Sequence, residues 1–255
     1  MSDAATGEGE LKGRVALVTG AARNIGRAIA RELAAAGAAV VVNARSSKAA
    51  LDAVAAEIVA EGGRALAVLA DITDETAVES MVAAARAAFG RIDILVNNAA
   101  VRGEASPEEI DHAEWRRVLD VILDGAFFCT QACLADLRAS GAGRVINIGG
   151  LTGHSGAARR LHVITAKAGL VGFTKALAHD LGQSGVTVNC VSPGMIDTLR
   201  AASAGTNEHR RHRNTLVPGV GVPEDIARMV RHLAGPAGRF ITGQTIHVNG
   251  GTYLG

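Results

Sequence analysis

Short apolar runs alternate along this chain with longer stretches whose apolar positions recur every three to four residues. RVALVTG (14–20) is rich in Val and closed by glycine, the pattern of a strand buried on both faces of a parallel sheet. NIGRAIARELAAAG (24–37) has helical periodicity and stops at Gly37. The same reading predicts strands at AAVVVNA (38–44), RALAVLAD (64–71), RIDILVNNA (91–99), GRVINIGG (143–150), GVTVNCVSPG (185–194) and QTIHVNGG (244–251). Helices fall between them at 46–63, 74–90, a long run over 107–141, about 161–182, and 223–235. Strands alternating with helices imply right-handed crossovers and one parallel sheet covered on both faces.

Residues 1–12 read as a flexible lead-in, and 13–255 as a single domain without linker or internal repeat. One stretch breaks the pattern. LRAASAGTNEHRRHRNTL (199–216) lacks periodicity and is dense in Arg and His. Ligands of open α/β sheets sit outside the carboxyl ends of the strands, so a long loop after the sixth strand is expected to act as a lid.

The first strand-to-helix turn carries the first chemistry. In TGAARNIGRA (19–28), Gly20 permits a sharp turn and Gly26 a close approach of the helix, leaving the amides of the helix N-terminus facing an anion such as a pyrophosphate. A tight turn without ligand is the alternative. An acid near the end of the second strand would hold a ribose 2′-hydroxyl. The sequence gives Asn43, Ala44 and Arg45 there. Arg45 and Arg23, each a planar donor fork, suit a 2′-phosphate instead, unless they are plain surface charges. The expected cofactor is NADP(H) rather than NAD(H).

Composition narrows the function. A formal charge of +1 and 3% aromatics argue against nucleic-acid binding by bulk electrostatics or base stacking. MSDAATGEGELKG has no apolar signal core, and no window approaches about 18 consecutive apolar residues. A cytoplasmic protein without membrane association is expected. Cys129, Cys133 and Cys190 form no CxxC pair and read as reduced, small apolar core residues, and no metal site is expected. There is one tyrosine, Tyr253, at the very end of the chain.

The motifs resemble those of the short-chain dehydrogenases/reductases, with the 3-oxoacyl-carrier-protein-reductase-like proteins as the best match, from about residue 12 to the end. TGAARNIG resembles the TGxxxGIG turn, with Asn24 in place of the middle glycine. Asp71-Ile72 resembles the pair that holds adenine. Asn97-Asn98-Ala99-Ala100 resembles NNAG. Pro193-Gly194 with Ile196 and Thr198 resembles the nicotinamide-contacting segment. The resemblance implies a Rossmann-type doubly wound sheet in three layers, forming a single domain. It implies a cofactor site of Gly20, Ala22, Arg23, Asn24, Ile25, Gly26, Arg45, Ser46, Asp71, Ile72, Asn98, Ala99, Ala100, Lys167, Pro193, Gly194, Ile196 and Thr198. It also implies a homodimer or homotetramer acting on a small molecule.

The resemblance also implies four catalytic side chains, and three are missing. Ile122 stands where the family places asparagine, Gly150 where it places serine, and Val163 where it places tyrosine. Lys167 remains. Losing general acid catalysis typically costs about 10²–10⁴-fold. His162 and Thr165 point away around the helix. His154, in the loop after the fifth strand, is the candidate substitute beside Lys167, with an exposed loop histidine as the alternative. Two classes stay open: an NADP(H)-dependent oxidoreductase with non-standard hydride transfer, and a catalytically silent relative that binds dinucleotide as a structural or sensing subunit. Arg159 and Arg160, with His209, Arg210, Arg211, His212 and Arg213, would make an electropositive mouth for an anionic substrate if both segments close over one crevice.

Overall fold

A computed structural model describes residues 9–198 and 215–255. Its centre is a seven-stranded sheet in the order β3-β2-β1-β4-β5-β6-β7, every neighbouring pair parallel. The strands are β1 Val15–Val18, β2 Ala39–Ala44, β3 Arg64–Leu69, β4 Ile94–Asn97, β5 Arg144–Ile148, β6 Thr187–Pro193 and β7 Thr245–Val248. β1, β2, β4, β5 and β6 are buried along their whole length, so β1 is wholly apolar and β2 and β4 are apolar but for one asparagine each, while Asn147 of β5 and Asn189 of β6 are buried with their amides donating to the Thr174 hydroxyl and the Ile241 carbonyl.

The helices are α1 Asn24–Ala35, α2 Lys48–Ala60, α3 Glu75–Phe89, α4 His112–Leu119, α5 Gly125–Ala139, α6 Thr152–Ser155, α7 Leu161–Leu181 and α8 Pro223–Ala234. On one face of the sheet, Ile29 and Leu33 of α1, Leu51 and Val54 of α2 and Val230 of α8 pack on Val40 and Val42. On the other, Met81 and Val82 of α3 and Cys129, Cys133 and Leu137 of α5 pack on Leu17, Val41 and Leu95. The alternation of side chains along a strand divides the core this way, giving the three layers expected. A third cluster joins Val118, Ile122 and Ala126 to Val163, Ala166 and Leu170 of α7.

The chain order turns back between β1 and β4, so the connections leaving their carboxyl ends part and open a crevice. Three expectations about the elements change. Residues 9–12 are no loose lead-in: Leu11 is fully buried, its N–H donates to the Ala36 carbonyl, and Glu10 pairs with Arg231. The long helix begins at His112 rather than 107, because Asp111 caps it by accepting from the Glu114 N–H at 2.7 Å. It is also interrupted by a π turn at Asp120–Asp124. The lid falls almost wholly outside the described residues, together with His209 to Arg213.

Among the described residues one helical run, His112–Ala139, is long and apolar enough by length and composition to cross a membrane. Here its apolar side is spent on the sheet, through Cys129 and Leu137, and on α7, through Ile122.

Candidate active site

A cavity of about 620 Å³ opens at the carboxyl ends of the strands where the chain order reverses. Its floor is the turn from β1 into α1. Gly20 has φ +64°, and a Cβ there would stand 2.8 Å from the Ala99 Cα. A Cβ on Gly26 would stand 2.3 Å from the Gly20 carbonyl oxygen. Only glycine allows the helix to start this close to the turn. Asn24 takes the left-handed conformation, φ +52°, that the family's glycine would take, and asparagine tolerates it. Arg23 is extended and no side chain caps α1, so the helix start presents its amides and the positive end of its dipole to the cavity. Asn98 ties the far wall to this turn: its Nδ2 donates to the Thr19 and Gly20 carbonyls at 2.8 and 3.1 Å. The Thr19 hydroxyl accepts from the Asn98 and Ala99 N–H groups at 3.0 Å each.

At one end lie Arg45, Ser46 and Asp71. The Asn43 amide turns away into the sheet edge and donates to the Val68 and Ala70 carbonyls. No acid therefore stands at the end of β2. Asp71 is the one carboxylate among the described lining residues, and its Oδ1 already accepts from the N–H and hydroxyl of Thr73. Arg23 and Arg45 give this end positive charge. Ala100, where the family has glycine, lines the cavity without a positive φ, so the substitution fits. Every residue assigned from the sequence to the cofactor lines this one cavity.

At the other end lie Lys167, Val163, Gly150 and Ile148. The Lys167 ammonium donates to the Ile148 carbonyl at 2.5 Å. Burial lowers its pKa to about 8; nearby Arg102 adds to the lowering and Cys190 opposes it. Val163 is buried and packs in the same cluster as Ile122, so the two apolar replacements meet across α4, the π turn and α7. A Cβ on Gly150 would meet no atom within 4 Å, so the serine position is open space.

Two expected roles change. His154 does not line the cavity. It sits in the short helix α6, edge-on to His247 at 4.6 Å between ring centroids and 5.8 Å from Tyr253. Neither His154 nor His247 lines the cavity, so this is a packed ring cluster on the β7 side, and burial lowers the pKa of both histidines. Arg159 likewise leaves the mouth, pairing with Glu109 at 2.8 Å, whereas Arg160 lines the cavity. His162 is fully buried, with Nε2 3.3 Å from Glu114, which fits its structural reading.

Sequence reasoning missed Arg102, Arg117, Val121, Thr152 and Thr252 as wall residues. A signal existed for Arg102, an arginine five residues past the end of a buried strand, on the face where ligands bind. Thr252 gave none, because nothing local says that the tail after β7 folds back to the crevice.

The family described as Enoyl-(Acyl carrier protein) reductase matches residues 20–253. The 3-oxoacyl-[acyl-carrier-protein] reductase of Synechocystis sp. is 41% identical over 96% of this chain and 98% of its own. A blue fluorescent protein from a metagenomic library, solved in complex with NADPH, superposes with TM-score 0.87 at 36% identity, over 96% of this chain and all of its own. A short chain dehydrogenase from Burkholderia cenocepacia, in complex with NADP, gives TM-score 0.88 at 36% identity, over 95% of this chain and 99% of its own. With the fold, the glycine cradle and these likenesses together, the chain belongs to the short-chain dehydrogenase/reductase family and is similar to its 3-oxoacyl-carrier-protein reductases.

Proposed function

We propose that this protein binds NADP(H) and acts as an oxidoreductase on a small molecule without the family's hydroxyl donor. The observation that carries this reading is the contrast between the two ends of one cavity. The dinucleotide end keeps its glycine cradle, its uncapped helix start and its two arginines. The reaction end keeps Lys167 but has Val163 and Gly150 on its wall and Ile122 packed behind. Two solved relatives hold NADPH and NADP, which supports the choice of cofactor.

When bound, the dinucleotide supplies or takes a hydride. Arg45 and Arg23 hold a 2′-phosphate by charge-assisted hydrogen bonds, and the start of α1 holds the pyrophosphate. Lys167, largely charged at pH 7, holds ribose hydroxyls while anchored to Ile148. Neither Val163 nor Gly150 can protonate an oxygen that gains an electron pair. A C=O acceptor therefore fares badly, whereas an iminium nitrogen ends the step neutral and needs no proton at that moment. Cyclic imines that enter already protonated, as iminium ions, are the acceptor class this reasoning favours. We place the protein in the cytoplasm as a homodimer or homotetramer, in keeping with its family.

A second reading is a catalytically silent dinucleotide-binding subunit, favoured by the packing of Ile122 against Val163. Fluorescence titration with NADPH and NADH, followed by NADPH oxidation with a panel of cyclic imines, separates the two. Tight NADPH binding with turnover supports the oxidoreductase, and tight binding without turnover on any imine supports the silent subunit. Tighter NADH than NADPH overturns the cofactor assignment.

A further inference from the structure

We infer that the Thr152 hydroxyl is the hydrogen-bonding group that orients the acceptor in this protein, in place of the side chain Gly150 lacks. The inference rests on the proposed reading of the cavity as a dinucleotide and acceptor site. Five side-chain hydroxyls line the described cavity. Ser46 and Ser47 follow β2 at the arginine end, remote from Lys167. Thr252 donates to the Asn249 carbonyl at 2.8 Å. Thr198 is engaged with the Ile196 carbonyl and Arg102, each at 3.5 Å.

Thr152 is the hydroxyl that remains. It is half-buried in the wall, and its side chain makes no hydrogen bond within the described protein. A hydroxyl on a cavity wall with no internal partner is satisfied by solvent or by a ligand.

The backbone fixes where this hydroxyl stands. The Leu151 N–H donates to the Pro193 carbonyl at 3.0 Å, tying the segment to the predicted nicotinamide wall. The Gly153 N–H closes a turn onto the Gly150 carbonyl at 2.9 Å, so residues 150 and 152 belong to one tight bend. A Cβ on Gly153 would come 3.2 Å from the Lys167 Cβ, so this bend packs directly on the turn of α7 that carries the lysine. The open space at Gly150, the Thr152 hydroxyl and Lys167 therefore share one end of the cavity. A threonine hydroxyl here accepts the N–H of a protonated cyclic imine, whose iminium nitrogen has no lone pair to receive an O–H.

The test uses the full-length protein first saturated with NADPH, and 2-piperidone as the probe. This lactam presents a ring N–H as a protonated cyclic imine does, has its shape and takes no hydride. Wild type, Thr152→Val, Thr152→Ser and Gly150→Ser/Thr152→Val are titrated alongside each other. Failure of the NADPH saturation step refutes the cofactor reading, separately from the role of Thr152. With NADPH bound, Thr152→Val is expected to weaken lactam binding about tenfold, the scale of one lost neutral hydrogen bond. Thr152→Ser is expected to keep it, and Gly150→Ser to restore it in the Val background. NADPH affinity is expected to stay constant throughout. Equal lactam affinity in wild type and Thr152→Val overturns the inference, as does a wild type that takes NADPH but no lactam.

Discussion

Two glycines in the same cavity wall should respond oppositely to one added methyl group. In Gly26→Ala the new Cβ falls 2.3 Å from the Gly20 carbonyl oxygen and 2.5 Å from the Asn98 Nδ2, the first of which is backbone. Restoring an ordinary contact moves the start of α1 by about 1 Å. The shift breaks the Asn98 hydrogen bonds to Thr19 and Gly20, worth about 1 kcal/mol each, and adds overpacking strain of about 1–3 kcal/mol. Alanine's better helix propensity returns about 1 kcal/mol. The net loss is about 2–4 kcal/mol, or roughly 4–16 °C in Tm for a domain of this size. In Gly150→Ala the Cβ meets nothing within 4 Å and the backbone is not left-handed, so stability holds or rises by about 0.4–1 kcal/mol. Thermal unfolding by circular dichroism reads the stability, and fluorescence titration reads NADPH affinity, which should fall in Gly26→Ala and hold in Gly150→Ala. Equal Tm and equal affinity in the two variants would refute the reasoning.

Three further outcomes follow from named contacts. The Lys167 pKa is lowered to about 8 by burial, so the ammonium is lost as pH rises through that value. NADPH affinity should weaken above about pH 8 in wild type and show no such break in Lys167→Met; a flat wild-type profile between pH 7 and 9.5 contradicts the ribose-holding role. Arg45→Glu should lower NADPH affinity by about 10–100-fold while leaving NADH binding unharmed, the scale of a lost charge-assisted hydrogen bond. Loss of both nucleotides alike would assign Arg45 a structural role. Leu11→Ala should cost about 2–5 kcal/mol in urea unfolding, because this residue is fully buried under Ala36; a neutral result would mean the segment is loose after all.

The elements that were legible are those whose signal is local. Strand β1 declares itself by an apolar run and β2 by one broken only at Asn43, and α1 by its periodicity between a glycine turn and Gly37. That the residues we assign to the cofactor would line one cavity was legible because they fall at the ends of such strands. What escaped depends on long-range packing. Leu11 looks like part of a polar tail until Ala36 is brought to it. The π turn at Asp120–Asp124 has no sequence marker, yet it lies where Ile122 turns into the cluster with Val163. His154 was misplaced because a four-residue helix, rather than an open loop, turns its ring toward His247 and Tyr253. Thr152 was overlooked because its importance lies in the hydrogen bond it does not make.

The central claim is that the dinucleotide half of this site is intact while the proton-donating half has been replaced by packing. The direct measurement is NADPH oxidation with generic ketones by wild type and by Gly150→Ser/Val163→Tyr. Ile122 is left in place, since an amide buried in its apolar cluster would cost about 1–3 kcal/mol by itself. The account predicts that both proteins bind NADPH and that ketone reduction emerges in the restored variant alone. Ketone reduction by wild type at the rate of the restored variant would contradict it.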